Sequence, residues 1–145
     1  MVTNAFGNAT SNEAMLTVQP RPPILLTEDG TDSAIAFDSV TMMRDPFPLA
    51  NVFTFGSDNR TRVMLFGVNL TLLQGENSSV VTARAEDAQL NVYPMTVEFV
   101  GPVPNLTGVT EVLVKLPDNL PTGQDVLLSV TLHGQTSNKV RFRLR

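Results

Sequence analysis

Apolar residues recur at every second position along much of this chain, most plainly in residues 111–145. Val112-Leu113-Val114-Lys115-Leu116 forms one run, stopped by Pro117. In 126–132, Leu128, Val130 and Leu132 share one parity while Ser129 and Thr131 hold the other. In 140–145, Val140, Phe142 and Leu144 alternate with Arg141, Arg143 and Arg145. Successive side chains of a strand point to opposite faces, so each run predicts a strand with one face buried and one wetted. The polar stretch 133–138 (His-Gly-Gln-Thr-Ser-Asn) is the predicted hairpin connection between the last two.

The same reading extends towards the N-terminus. Residues 95–100 alternate, with Thr96 and Glu98 outward, and 80–85 alternate again before the polar stretch 86–91. Residues 61–70 contain the nearly continuous apolar run Val63-Met64-Leu65-Phe66 expected of a central strand. Shorter strands are predicted at 52–55 and 24–26; 34–43 has mixed period, with Ile35, Phe37, Val40 and Met42 as its inward candidates. Two strands, 2–6 and 13–18, would form an N-terminal hairpin around the turn 7–12. Three prolines at 20, 22 and 23 remove backbone donors and stiffen the segment that follows. The organisation expected is a hairpin at 1–18, a proline-rich linker at 19–24, and an immunoglobulin-like β-sandwich at 25–145. No segment keeps helical spacing for more than two turns, and short strands separated by Pro, Gly and Asn predict an all-β antiparallel sandwich.

Composition narrows the chemistry. At 145 residues the chain suffices for one domain with its own core. Its net charge of −4 disfavours a phosphate backbone as partner. Cysteine is absent, which excludes disulfides, thiolate metal sites and cysteine nucleophiles. No run approaches the ~20 apolar residues of a membrane-spanning helix. The first residues lack a basic region leading into an apolar core, so no secretory signal is expected within this segment, and for a secreted protein it would lie upstream.

Two resemblances sharpen the expectation. The phrase Asn4-Ala5-Phe6-Gly7-Asn8, leading to Ala14, Leu16 and Val18, resembles the closing hairpin of an immunoglobulin-like domain. Between about 60 and 140 the landmarks resemble an IPT/TIG-style sandwich module found at the C-terminal end of large secreted or surface proteins of soil bacteria. They are Leu65-Phe66-Gly67 with Asn69-Leu70; the turn from Phe99 to Leu106; Val114, Leu116, Pro117 and Leu120; and Gly134, Ser137, Asn138 and Val140. The resemblance implies a non-catalytic structural, adhesion or assembly role at the cell surface or outside the cell. The implied partners are neighbouring domains of a parent protein and a protein or polysaccharide ligand, with no nucleic acid, no membrane insertion and no cofactor. Stretch 86–91 departs from that pattern by being longer.

Candidate chemistry is sparse. His133, the single histidine, falls at a predicted hairpin tip with no nucleophile or metal partner near it in sequence, and reads as a solvated turn residue. Glu28, Asp29 and Asp32 surround Gly30 and are the calcium candidates, although their spacing departs from the twelve-residue calcium loop. Phe47, flanked by prolines, is the aromatic expected to be exposed to a ligand. Arg141 and Arg143 form an outward basic row with Arg145, either an anionic-ligand patch or a charged edge that resists strand-to-strand aggregation. Arg60 and Arg62 make a second basic spot. Asn-x-Ser/Thr triplets begin at Asn8, Asn59, Asn69, Asn77 and Asn105 and mark turns. The expected function is therefore a non-enzymatic module, with a carbohydrate- or calcium-dependent binding module as the alternative.

Overall fold

The computed structural model describes residue 14, residues 16–53 and residues 56–145. Its elements are strands β1 (Ile24–Leu25), β2 (Ala36–Asp38), β3 (Arg62–Val68), β4 (Val81–Glu86), β5 (Val92–Pro102), β6 (Thr110–Lys115), β7 (Asp125–Leu132), β8 (Gln135–Thr136) and β9 (Val140–Arg143). A short 3-10 turn, Ser78–Val80, precedes β4. Among the described residues there is no α-helix.

The alternating runs become strands for the reason anticipated. On β3 Val63 and Leu65 point inward, on β6 Val112 and Val114, and on β4 Val81, Ala83 and Ala85. Val126, Leu128, Val130 and Leu132 of β7 complete the facing side with Val140, Phe142 and Leu144. Residues of the opposite parity are less buried, so burial alternates along β3, β4 and β6.

Neighbouring strands run antiparallel in the order β1-β3-β6-β5-β4-β7-β8, with β2 also on β3 and β9 also on β7. The consecutive strands β4, β5 and β6 are followed by β7, which returns to lie beside β4; that is a Greek key. One long strand, β5, belongs to both halves. Its first residues pair with β4 (Tyr93↔Ala85), and from Thr96 onward it pairs with β6, with a bulge between Val97 and Phe99. The extra residue bends the strand, and the all-β antiparallel sheet curls over one core.

The curl is nearly closed. Ser33 pairs with Arg141 in parallel, and three residues later Ala36 pairs with Leu65 of β3. The remaining gap, between β1 and the last strand, is spanned by one side chain. Leu25 N donates to Asn138 Oδ1 at 2.8 Å, and Asn138 Nδ2 donates to Leu25 O at 3.0 Å. A carboxamide carries the same donor and acceptor as a peptide group, and here it stands in for a missing strand residue.

Several expectations change. The hairpin 1–18 lies mostly outside the described residues; Leu16 and Val18, which are described, are exposed and in no strand. The proline-rich segment ends at Pro23, because Ile24 already pairs with Val68. The strand expected at 52–55 is absent at Val52 and Phe53, which lie in a bend and are exposed, and residues 54–55 are outside the described set. In 34–43 the inward parity is the opposite one. Ala34, Ala36 and Asp38 are buried, while Phe37 packs outside, edge-on against Phe66 at 6.1 Å.

The connection 133–138 is also tighter than expected. His133 and Gly134, both with positive φ (49° and 76°), turn the chain in two residues between Leu132 and Gln135. The φ values suit the primed turns of hairpins, which glycine enters without strain. Ser137 then fills a bulge: its N donates to Val130 O, and its Oγ accepts from Val130 N.

Candidate functional site

The most organised polar cluster sits where β2 ends. Asp38 is buried, and its Oδ1 accepts from Val40 N at 2.8 Å and Thr41 N at 2.9 Å. Its backbone closes the same turn, N donating to Met43 O and O accepting from Met42 N. Its Oδ2 accepts from Asn51 Nδ2 at 2.8 Å, and Asn51 Oδ1 in turn accepts from Phe53 N. Asn51 N donates to Asn59 O. One side chain thus fastens two loops together, and its buried oxygens are satisfied by three donors.

These loops turn apolar side chains to solvent. Met42, Met43, Val52 and Phe53 are 61%, 64%, 89% and 67% exposed. Met42 adopts φ 57°, a left-handed conformation uncommon for a methionine. Two open hollows flank Asn51 and Phe53, of about 430 Å³ towards Asp58, Arg60 and Arg62 and about 310 Å³ towards Arg44, Phe47 and Arg145. Asp38 lies in the wall of the second, where its carboxyl oxygens accept from Val40 N, Thr41 N and Asn51 Nδ2 and fasten the two loops.

The calcium candidates are diverted to cations. Glu28 pairs with Arg44, and Asp32 Oδ1 lies 2.9 Å from Arg141. Hydrogen bonding from Arg141 holds the Asp32 carboxyl below its ordinary range. Asp29 stands on the same turn, which is closed by the Thr27↔Ala34 bridge and by Glu28 N donating to Ser33 O. Among the described residues no three His, Asp or Glu side chains gather as a metal ligand set. A hard cation wants six to eight oxygens, and two of these three carboxylates already neutralise guanidinium groups.

Phe47 is not exposed. At 1% accessibility it packs edge-on against Phe142 at 5.6 Å, and its backbone bonds Arg143 O and Arg145 N. Nor are Arg141 and Arg143 a free basic row. Arg141 bridges Asp32 and Asp125, and Arg143 contacts Asp125, whereas Arg145 has no ion-pair partner among the described residues. Their strand is not a bare edge either, because residues 32–34 and 45–47 lie along it and bond its backbone. The Asp45–Pro46 peptide in that covering segment is cis.

The second basic spot is likewise paired. Arg62 bridges Asp58 and Glu98, Lys115 joins them, and Arg60 meets Asp118. The Arg60 backbone N–H, followed by the Arg62 side chain, pulls the Asp58 carboxyl down to about 2. His133 is less isolated than its turn position implies: its Nε2 lies 2.9 Å from Glu76 Oε1. Glu76 is shifted below its ordinary range first by the Leu73 N–H and then by His133.

Asp87 organises the long stretch 86–91. It accepts from Gln89 N, Asn91 N, Asn91 Nδ2 and Tyr93 Oη, all within 2.9 Å. The Asn91 side chain is the main cause of its lowered pKa, and Asp87 in turn raises that of Tyr93. Sequence reasoning missed Asp38, Asn51 and Asp87. Asp38 had a signal: it shares parity with Ala34 and Ala36, and an aspartate on an inward face needs dedicated donors. Asp87 offered only a turn composition.

One surface departs from the polar exterior of an ordinary curled sheet. On the outer side of β2, β3, β6 and β5 the register places Phe37, Met64, Leu113 and Phe99 in one row. Phe99 is 46% exposed, and Arg44 lies 6.0 Å from the ring centre of Phe37. The chain matches no protein-family model, no curated protein and no solved structure. The likeness to IPT/TIG-style modules therefore rests on its landmarks alone.

Proposed function

We propose that this chain is a non-catalytic interaction module, a structural, adhesion or assembly unit of a larger extracellular or cell-surface protein. The observation that carries the reading is the apolar row Phe37, Met64, Leu113 and Phe99 on an outer sheet face. A solvated antiparallel face normally alternates to polar residues, and a contiguous apolar one marks a contact surface. The acids support it from the other side. Asp38, Asp87, Asp58 and Glu76 are each spent on fastening loops or strands. Recognition would run through sheet faces and loops, with neighbouring domains or a protein ligand as partner.

Protease shaving of intact producing cells tests the location. Peptides of this chain released without lysis support the proposal, and peptides appearing only after lysis refute it. Leu113→Ser tests the face, because that residue bears on contact and not on the core. The variant should stay folded, as circular dichroism would show, while weakening association with the flanking domains of its parent.

A further inference from the structure

The two ends of the molecule are chemically complementary. The loops that precede β3 gather at its Arg62 end, beside Lys115, and the chain leaving β3 gathers at the other end, where Gly67 pairs with Thr110. Seven residues of strand at ~3.3 Å each separate the ends by roughly 20 Å. The first end presents Met43, Val52 and Phe53, held outward by the Asp38–Asn51 fastening. Arg145 stands on the rim of the hollow these three line.

The second end carries a hollow of about 220 Å³, the volume of about seven waters. Leu70, Leu72, Val100, Gly101 and Pro102 line it with the hydroxyl residues Thr71 and Thr110, and no charged side chain takes part. Glu111, the cross-strand partner of Gly101, is the nearest acid along β6. Among the described residues, neither Glu111 nor Arg145 has an ion-pair partner. Both are therefore open to an ion pair supplied by another molecule.

We propose that copies of this fold associate head to tail. The tip formed by Met43, Val52 and Phe53 of one copy seats in the hollow of the next, bringing Arg145 of the first towards Glu111 of the second. The inference rests on the assembly reading above and names its partner as a second copy of this chain, free or as a tandem domain. A contact between two different patches leaves a free tip and a free hollow at the ends of every open complex. It therefore propagates into filaments or closed rings rather than stopping at a dimer.

Sedimentation velocity on the full chain, followed up to about 1 mM where a weak contact still populates, reads this directly. The wild type should grow past two chains in mass. Phe53→Ser removes the tip, and Thr71→Glu, at an exposed wall position, charges the hollow; each should be monomeric alone with an unchanged melting temperature. Mixed in equal amounts, the two variants should form a discrete complex of two chains, because each supplies the half that the other lacks. A wild type that stays monomeric to that concentration overturns the proposal. So does a mixture with no complex, or association lost in Phe53→Ser but intact in Thr71→Glu, which would mean tip against tip. Association that survives both variants and disappears in Leu113→Ser overturns it while leaving the assembly reading standing. Failure of the cell-shaving test removes that reading without touching this result.

Discussion

Replacing Phe47 by alanine separates the structure from the simplest view of the sequence, in which a phenylalanine between prolines is a surface residue awaiting a ligand. The ring is 1% accessible and meets Phe142 edge-on. Removing a buried ring of about 150–200 Å² from the core costs ~4 kcal/mol at ~25 cal/mol per Å². Losing the aromatic pair adds ~1 kcal/mol, and partial collapse of neighbours returns some of this. The net expectation is about 4 kcal/mol, within the range known for Phe→Ala in cores. For a chain of this length that lowers the melting temperature by about 8–16 °C.

Phe53→Ala is the matched control: the same chemistry at 67% exposure, expected to change stability by no more than ~0.5 kcal/mol. Guanidinium titrations of both variants, read as a shift in midpoint at constant slope, make the comparison. A Phe47→Ala midpoint indistinguishable from wild type, with its slope unchanged, would refute the placement of residues 45–47 along β9.

Three further outcomes follow from the same contacts. Asn138→Ala should cost about 1–2 kcal/mol by leaving Leu25 N and O without their partner, and amide exchange at Leu25 should accelerate more than at Val114; equal acceleration at both would contradict the bridging role. Gly67→Ala should destabilise by about 1–3 kcal/mol, since a Cβ there would lie 2.8 Å from Ile24 O and 2.7 Å from Leu70 Cδ1; a neutral thermal melt would show that β1 does not lie over β3. Stability should fall with acid. Asp58 has a folded value near 2 against an ordinary 3.8, so its contribution is present above about pH 4 and is lost as pH drops through the folded value. Urea midpoints from pH 5 to 2 should therefore fall less steeply in Asp58→Asn than in wild type, and parallel profiles would exclude the Asp58–Arg62–Lys115 cluster as a source.

What the sequence disclosed follows from which forces act locally. Period-two burial on β3, β4, β6 and β7 was legible because one face of each meets a common core, and a slip of one residue would expose the whole set. The curl was not legible, because it depends on one strand, β5, changing partners at Thr96, and the bulge that allows this leaves no mark on the alternation of 95–100. The inward parity of 34–38 was misread because Ala34 and Ala36 are small and Phe37 is large. The pairing register put the small residues under β3 and left the ring on the outer face. Ion pairs such as Arg141–Asp32, 109 positions apart, lie beyond any local pattern.

Phe47 shows how a local rule can be sound and still mislead. Prolines are excluded from a ladder only where their missing N–H would have to donate. In a strand the bonding groups of alternate residues face the same neighbour, so Phe47 can bond Arg143 O and Arg145 N while Pro46 and Pro48 turn their nitrogens away. The Pro-Phe-Pro triplet is thus compatible with one residue of parallel pairing, opposite Leu144, and the phenyl ring packs edge-on against Phe142. The neighbouring carboxylates also take up β9: the Arg141 guanidinium meets Asp32 and Asp125, the Arg143 guanidinium meets Asp125, and the Arg143 backbone N–H donates to Asp45. The apolar row on β2, β3, β6 and β5 and the Met-Phe tip lie outside this strand, where neither proline geometry nor ion pairing accounts for them.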